Sequence, residues 1–514
     1  MSTQKKHIHD RWSYAWLFLA GIFVVISAGR WMVPLAAWLA PIFMMRYLRT
    51  QPLLRGYLLG VLFFLFPAGI ALWGQIPQPP VEFFVTLIIG GFIGLLPFLL
   101  DRWLAANKPS FLHTLLFPTF AVAFEYFNAQ GNPFGTWGST AYTQAGQLPL
   151  IQSVSFAGIW GLIFLMSWSA STINWAWEHN FTWETIQKGL LTYLLLLVTI
   201  ICGGGIRLAT APMKPTFRAA GIVTPENKKL RSLIEPVFFE GKQPTPALWK
   251  TYFERARAVR ADLLSRTAQA AQAGAKVIVW AEAQAPIQQK DQKAFLQKVQ
   301  SLAKQHKVYI GATMWLFRHL DIKNKKQKMT ENKLVFVTPQ GKIGFEYLKT
   351  IPVPGPELAM VQKGDGKMKT INTPFGTIGA MICFDMDFPH LVKQASQKQV
   401  DLLIVPASDW KDITPHHTRI ASFRAIENGF SLLRVTDHGE SASYDSYGRH
   451  LAGMNYFTTN KYILYTDIPM TSKAWTPYSL LGDLLGMLCF FLTIGLIGWG
   501  GWHTWQQRKN PTNA

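Results

Sequence analysis

The stretch GTIGAMICFDMDFP, residues 376–389, runs as an uncharged, β-prone segment up to a single cysteine, then breaks into acidic residues alternating with Phe and Met before a proline. Asp and Pro are poor strand residues, so the strand is expected to end at Cys383. In open α/β sheets, reacting groups collect where strands reach their carboxyl edges. Two further strands end on an ionisable side chain. KVIVWAE, 276–282, closes on Glu282, and KIGFEYLK, 342–349, closes on Lys349 just before the stiff turn TIPVPGPE. A thiol needs a base to become a nucleophile, and a carbonyl under attack needs positive charge beside its developing oxyanion. A carboxylate partly removed from water suits the first role, which falls to Glu282, and Lys349 suits the second.

Working outward, short β-rich runs recur around these three: VYIGATMW, KLVFVTP, DLLIVPAS and FSLLRVTD. They alternate with helical patterns, AFLQKVQSLAKQHK and HHTRIASFRAIENG. PQGK at 339–342 and DSYGR at 445–449 read as hairpin turns. Residues 211–476 are therefore expected to form an α/β domain, a mixed sheet with helices outside. KNKKQK, 323–328, reads as a solvated loop. No P-loop, dinucleotide fingerprint or internal repeat appears, and nothing points to nucleic acid.

The remainder is of a different kind. Of 514 residues, 49% are hydrophobic and 15% charged, with Lys and Arg outnumbering Asp and Glu by 50 to 29. Uncharged runs at 12–29, 56–81, 83–100, 126–177 and 189–206 mostly match the ~20 residues of a membrane-crossing helix, and weaker runs occupy 31–45 and 110–124. Seven spans are expected in residues 1–210, and an eighth, followed by a tail, in 477–514. With the N-terminus cytoplasmic, the inside segments carry Lys5, Lys6, Arg11, Arg46, Arg49, Arg55, Arg102, Lys108, Lys188, Arg508 and Lys509, while the short outside loops carry Arg30. Seven crossings place 211–476 outside the cytoplasm. The first span is expected to be an uncleaved anchor, because hydrophobic hairpins follow it.

The order Glu, Lys, Cys at strand ends, in the settings WAE, YLK and ICFD, resembles the nitrilase superfamily of carbon–nitrogen hydrolases. Combined with seven preceding spans and one following, it resembles the membrane-embedded apolipoprotein N-acyltransferase family. NPFGTWGSTAYTQAGQLPLIQ at 132–152 is similar to that family's outer loop, and the segment from SDWKD through RAIENGFSLLRVTDHG, 408–439, also matches. The resemblance implies an α-β-β-α sandwich with Glu282, Lys349 and Cys383 catalytic, Glu357 as an additional active-site glutamate, and Phe384 and Asp385 as supporting residues. The family usually has Tyr-Glu after the cysteine, so Phe384 and Asp385 depart from it, as do Ala281 before Glu282 and AAGIVTPEN after the first soluble strand. It further implies a monomeric enzyme of the bacterial inner membrane that passes an acyl chain from a phospholipid, through a cysteine thioester, to the α-amine of a diacylglyceryl-modified lipoprotein, without metal or cofactor.

Other residues are weaker candidates. Glu125 lies near the end of the fifth span, where a carboxylate is costly enough to invite a functional reading, although an edge position lets it reach water. Trp249 and Trp410 are candidates for lining a substrate entrance. His416 and His417 begin a helix, where capping or surface roles are expected, and Arg424 and Glu427 are spaced as a helix-face ion pair. Cys202 and Cys489 fall within spans and behave as small apolar groups. Two other functions fit the same residues: a membrane-anchored amidase acting on a small amide, and a transporter or scaffold whose soluble domain has lost catalysis. The intact triad argues against the latter. Eight spans favour lipid substrates over the former, since tethering needs one.

Overall fold

The computed structural model describes residues 10–509 apart from 30, 77, 106–109, 240 and 324–325. Lys5, Lys6, Arg30 and Lys108, used above for orientation, lie outside the described residues, as does part of the 323–328 loop. The chain divides into two compact units, residues 1–210 with 480–514, and residues 211–479.

The first unit is helical: α1 (Ser13–Ser27), α2 (Pro34–Arg49), α3 (Leu53–Leu72), α4 (Pro80–Leu104), α5 (Leu116–Gly131), α6 (Val154–Glu178), α7 (Trp183–Ala209) and a C-terminal helix, Leu484–Lys509. Among the described residues, five of these are long and apolar enough to cross a membrane: α3, α4, α6, α7 and the C-terminal helix. This is a multi-pass membrane protein. α1 is apolar but shorter, and α2 and α5 have 16 residues each. The uncharged run 126–177 is split by a loop between α5 and α6, and the C-terminal helix packs on α5. Trp160 of α6 donates its indole N–H to Asp483 at 2.6 Å.

A buried cluster of charged residues in this unit lies at one end of several helices. Arg49, at the end of α2, donates to Asp101 of α4 at 2.8 Å and to Glu178 of α6 at 3.0 Å, and Arg46 lies 3.5 Å from Asp10, which precedes α1. The start of α1 and the ends of α2, α4 and α6 therefore share one face, as up-and-down winding requires. A buried arginine is tolerable there because it has two carboxylates.

The second unit holds two mixed sheets, the nitrilase-like α-β-β-α arrangement that the resemblance implied, where the residue pattern by itself suggested one sheet. Its strands are β1 (Thr216–Ile222), β2 (Val277–Trp280), β3 (Ala285–Gln288), β4 (Tyr309–Phe317), β5 (Thr330–Val337), β6 (Ile343–Leu348), β7 (Lys369–Thr373), β8 (Gly376–Ala380), β9 (Leu402–Ser408), β10 (Ser431–Asp437), β11 (Glu440–Tyr444), β12 (His450–Asn455) and β13 (Ile463–Pro469). One sheet runs β13-β1-β2-β4-β5-β6 with β3 beside β4, and the other runs β12-β11-β10-β9-β8-β7. The hairpin turns at 339–342 and 445–449 join antiparallel neighbours, β5 to β6 and β11 to β12. The sheets face each other closely. A Cβ on Gly221 of β1 would come within 2.8 Å of the Val435 side chain of β10, so glycine sets this approach.

Helices cover the outer faces: α8 (Glu226–Phe239), α9 (Pro246–Gln272), α10 (Gln292–His306) and α11 (His416–Asn428). α9 and α10 pack their apolar stripes on the first sheet, forming a core that includes Val259, Leu263, Ile278, Trp280, Val299 and Ile310. α11 ends at Gly429 with φ 73°, where a side chain would meet the Ala474 carbonyl at 1.9 Å.

Candidate active site

Each residue singled out at a strand end lies just beyond one. β2 stops at Trp280; Ala281 still donates to the Ile222 carbonyl of β1 at 2.9 Å, and the Glu282 N–H then crosses to the Ala407 carbonyl of β9 in the other sheet at 3.2 Å. Ala283 follows with φ 57°, which turns the chain back and leaves the Glu282 carboxylate between the two sheets' ends. Lys349 follows β6 directly, its N–H bonded to the Asn332 carbonyl at 2.9 Å. β8 ends at Ala380 and not at Cys383, three residues earlier than the sequence implied, because the chain tightens into a short helical turn over Cys383–Asp387. Cys383 itself takes φ 50°, a left-handed conformation that costs a non-glycine residue on the order of 1–3 kcal/mol. Such strain concentrates at functional sites.

The side chains converge. Lys349 Nζ donates to Glu282 Oε1 at 2.8 Å and to both oxygens of Glu357, at 2.8 and 2.9 Å. Asn332 Nδ2 donates to Glu282 at 2.7 Å and to Glu357 at 3.3 Å, so one amide and one ammonium hold the two carboxylates apart. Glu357 also accepts the Val353 N–H at 2.8 Å, which ties the TIPVPGPE turn to the site. The Cys383 thiol is buried and points weakly at the Ser408 carbonyl, 3.9 Å away.

The electrostatics follow from burial and partners. Burial opposes the charge on Lys349, but Glu282 and Glu357 outweigh it and hold the ammonium protonated well above its usual range. Burial raises the Glu357 carboxyl, with Lys349 pulling the other way. Burial, reinforced by Glu282, pushes the Cys383 thiol well above its ordinary value, with Lys349 and Arg434 opposing. The resting sulfur therefore keeps its proton and must lose it to a base as it attacks.

Asp385 works differently from a group that grips an ammonium. Its carboxylate accepts the Tyr347 hydroxyl at 2.7 Å and the backbone N–H groups of Ile351 (2.8 Å), Thr350 (3.2 Å) and Ile382 (3.3 Å). It staples the cysteine turn to the strand end that carries Lys349. Burial pushes its carboxyl up to about 6, against the donors from Tyr347 and Ile351. Phe384 is buried, with its ring 5.3 Å from Phe388 in an edge contact.

The remaining candidates fall elsewhere. Trp249 is buried in the core on α9 against Tyr252, Phe253 and Phe317, with ring separations of 5.9, 6.0 and 5.5 Å, so packing accounts for it in place of an entrance. Trp410 is half-buried just after Asp409. Glu125 belongs to the helical unit, where it accepts Ser139 at 2.7 Å and Thr140 at 2.6 Å and so anchors the following loop. Arg424 and Glu427 pair as their spacing implied, but inside the fold and not on a solvated face. His417 neither caps nor faces water: it is buried between Asp387 and Asp409, with Arg434 alongside. Asn332, Tyr347, Asp387, Asp409 and Arg434 escaped the sequence reading. An arginine inside the apolar run FSLLRVTD was the legible hint, since a strand cannot bury one without partners.

Residues 14–172 match the family of the apolipoprotein N-acyltransferase N-terminal domain, and residues 241–477 match the carbon–nitrogen hydrolase family. Apolipoprotein N-acyltransferase of Geobacter metallireducens is 26% identical across 66% of this chain and 65% of its own length, so the match spans just under two thirds of that relative. Apolipoprotein N-acyltransferase of Rickettsia typhi is 23% identical across 76% of this chain and 79% of its own. Among solved structures, an amidase from Nesterenkonia sp. aligns with 51% of this chain and 93% of its own at 15% identity, with a TM-score of 0.39.

Proposed function

This chain belongs to the apolipoprotein N-acyltransferase family, and from that premise we propose that it moves a fatty acyl chain from a membrane phospholipid, through a thioester on Cys383, to the α-amine of a diacylglyceryl-modified lipoprotein cysteine. The observation that carries this reading is the Glu282–Lys349–Glu357 cluster at the strand ends beside a buried, strained Cys383, in a chain with several helices long and apolar enough to cross a membrane.

Glu282 takes the thiol proton as sulfur attacks the phospholipid ester carbonyl, and the new C–S bond forms a tetrahedral oxyanion that Lys349 stabilises. The ester C–O bond breaks, the departing lysophospholipid oxygen takes the proton from Glu282, and an acyl-thioester remains. The lipoprotein amine then attacks that thioester. Glu282 accepts the amine proton, the C–S bond breaks, and the proton returns to sulfur, leaving an amide. Glu357 keeps Lys349 charged and fixed through both steps. Phe384 supplies an apolar wall in place of a phenol.

In this reading the α/β unit faces away from the cytoplasm. A reporter fused after residue 215 should be active outside it and one fused after residue 505 inside it, and cytoplasmic activity at 215 contradicts the orientation. Supplying a purified, acylated enzyme with a diacylglyceryl-cysteine peptide tests the acceptor: transfer of the label to the peptide amine supports the transferase, whereas faster release to water makes it a hydrolase.

A further inference from the structure

Near the cysteine lies a second set of charges that the acyl transfer above leaves unused. Asp387 comes from the turn after Cys383, Asp409 from the end of β9, His417 from the first turn of α11 and Arg434 from the middle of β10; all four are buried. His417 Nε2 lies 3.0 Å from Asp387 Oδ2, and its Nδ1 lies 2.8 Å from Asp409 Oδ1. Arg434 Nη2 donates to that same Asp409 oxygen at 3.2 Å. Ligand-type atoms of Cys383, Asp409 and His417 all lie within 4.8 Å of one another, so the network touches the sulfur's own surroundings.

Arg434 Nη2 also stands 2.8 Å from His417 Nδ1, and that nitrogen cannot both accept from arginine and donate to Asp409. A carboxylate faces each ring nitrogen, so each nitrogen carries a proton, and although burial and Arg434 disfavour the charged ring the two carboxylates raise His417 from its ordinary value. The other ionisable groups at this end of α11 are His416 and Arg419. Two carboxylates, an imidazolium and a guanidinium then sum to zero. A sulfur, an oxygen and a nitrogen this close also resemble a donor set for a thiophilic metal. Arg434, however, places a fixed cation on the very oxygen and nitrogen that would bind it, which favours charge balance over metal binding.

We propose that Asp387, Asp409, His417 and Arg434 form a charge-balanced cradle that tunes the reactivity of the Cys383 sulfur, with His417 as the positioning residue that neutralises Asp409 and holds it with Arg434 beside the thiol. The proposal rests on the reading of Cys383 as nucleophile and deepens it. Sulfur becomes anionic twice, when Glu282 removes its proton and when the amine expels it from the thioester. Nε and Nη1 of Arg434 are buried without a hydrogen-bond partner among the described residues, so their positive potential remains available to that anion. Without the His417 proton, the cradle carries one net negative charge and opposes the thiolate.

The test is the rate of iodoacetamide alkylation at Cys383, read by peptide mass spectrometry on the full-length protein in detergent at pH 7.5. His417→Gln should slow alkylation about tenfold, as one uncompensated charge several ångströms away requires. Asp387→Asn retains an oxygen that accepts the His417 N–H but removes one negative charge, so it should speed alkylation. The double variant, balanced again, should return to within about threefold of the unaltered protein. A structural role predicts the opposite for Asp387→Asn, slower or unchanged, and that result overturns the proposal, as does an unchanged rate in His417→Gln. If His417→Gln fails to fold, Asp387→Asn alone decides by its sign. Iodoacetamide reads the sulfur whatever the acceptor, so failure of the transferase reading leaves this test standing, whereas acylation that survives in Cys383→Ala removes the reading of the site itself.

Discussion

Lys349 donates to Glu282 across 2.8 Å with both side chains almost wholly out of water. A buried pair of this kind is weakly stabilising as a pair, but removing one partner strands the other, typically at a cost of about 3–5 kcal/mol. Lys349→Met should therefore abolish acyl transfer and also lower the melting temperature, because it leaves Glu282 and Glu357 facing each other without their cation. Adding Glu282→Gln should recover part of the melting temperature and none of the activity. Glu282→Gln alone should keep the fold and reduce the rate by about 10²–10⁴-fold, the range for loss of a general base. Thermal unfolding and single-turnover acylation distinguish these outcomes.

Asp385 joins two segments that must stay in register, so its loss reaches the fold as well as the chemistry. Asp385→Ala leaves the buried Tyr347 phenol with Thr350 alone and strands the Ile351 and Ile382 N–H groups, each costing about 1–3 kcal/mol when left unsatisfied. Destabilisation should accompany the loss of activity. Tyr347→Phe, which removes one of these bonds, should cost about 1 kcal/mol and retain measurable turnover. Full stability in Asp385→Ala contradicts the staple.

His417 links stability to pH with a definite sign. Its folded value lies above its ordinary 6.5, so its contribution is fully present below pH 6.5 and is lost as pH rises through the folded value. The melting temperature should fall over that interval above pH 6.5, and in His417→Gln the fall should be shallower. Identical pH profiles for the two proteins contradict the paired imidazolium.

Trp249 separates packing from substrate entry. Trp249→Ala should cost about 3–5 kcal/mol of stability through the cavity left among Tyr252, Phe253 and Phe317. The folded fraction should acylate normally, and a raised lipid KM at unchanged stability points to an entrance instead.

How much of this was legible in the chain depended on whether local pattern or tertiary placement decided it. The strand end carrying Glu282 could be read because a wholly buried apolar run stops at its first ionisable residue, and the one carrying Lys349 because a half-buried strand runs into the stiff turn TIPVPGPE. Cys383 was displaced by three residues because Met381 and Ile382 are as strand-like as anything before them, and the turn is tightened by Asp385, whose carboxylate accepts the Ile382 N–H and whose own N–H donates to the Ile382 carbonyl. The second sheet came from the resemblance and not from the residue pattern, because pairing partners are not local. The network around His417 was hidden for the same reason: Asp387, Asp409 and Arg434 reach it from three separate elements, and a histidine at a helix start looks like a cap until they do. Membrane helices α3, α4, α6 and α7 were the most legible, since length and apolarity alone define them.

The central claim is that Cys383 carries the acyl group. Intact-mass and peptide-level mass spectrometry of the purified full-length protein, after exposure to a phospholipid of defined acyl composition, tests it most directly. The expected result is a hydroxylamine-labile adduct of one acyl chain on the peptide containing Cys383, absent from Cys383→Ala and unaffected by Cys202→Ala or Cys489→Ala. An adduct elsewhere, or N-acylation of a diacylglyceryl-cysteine peptide by Cys383→Ala, contradicts it.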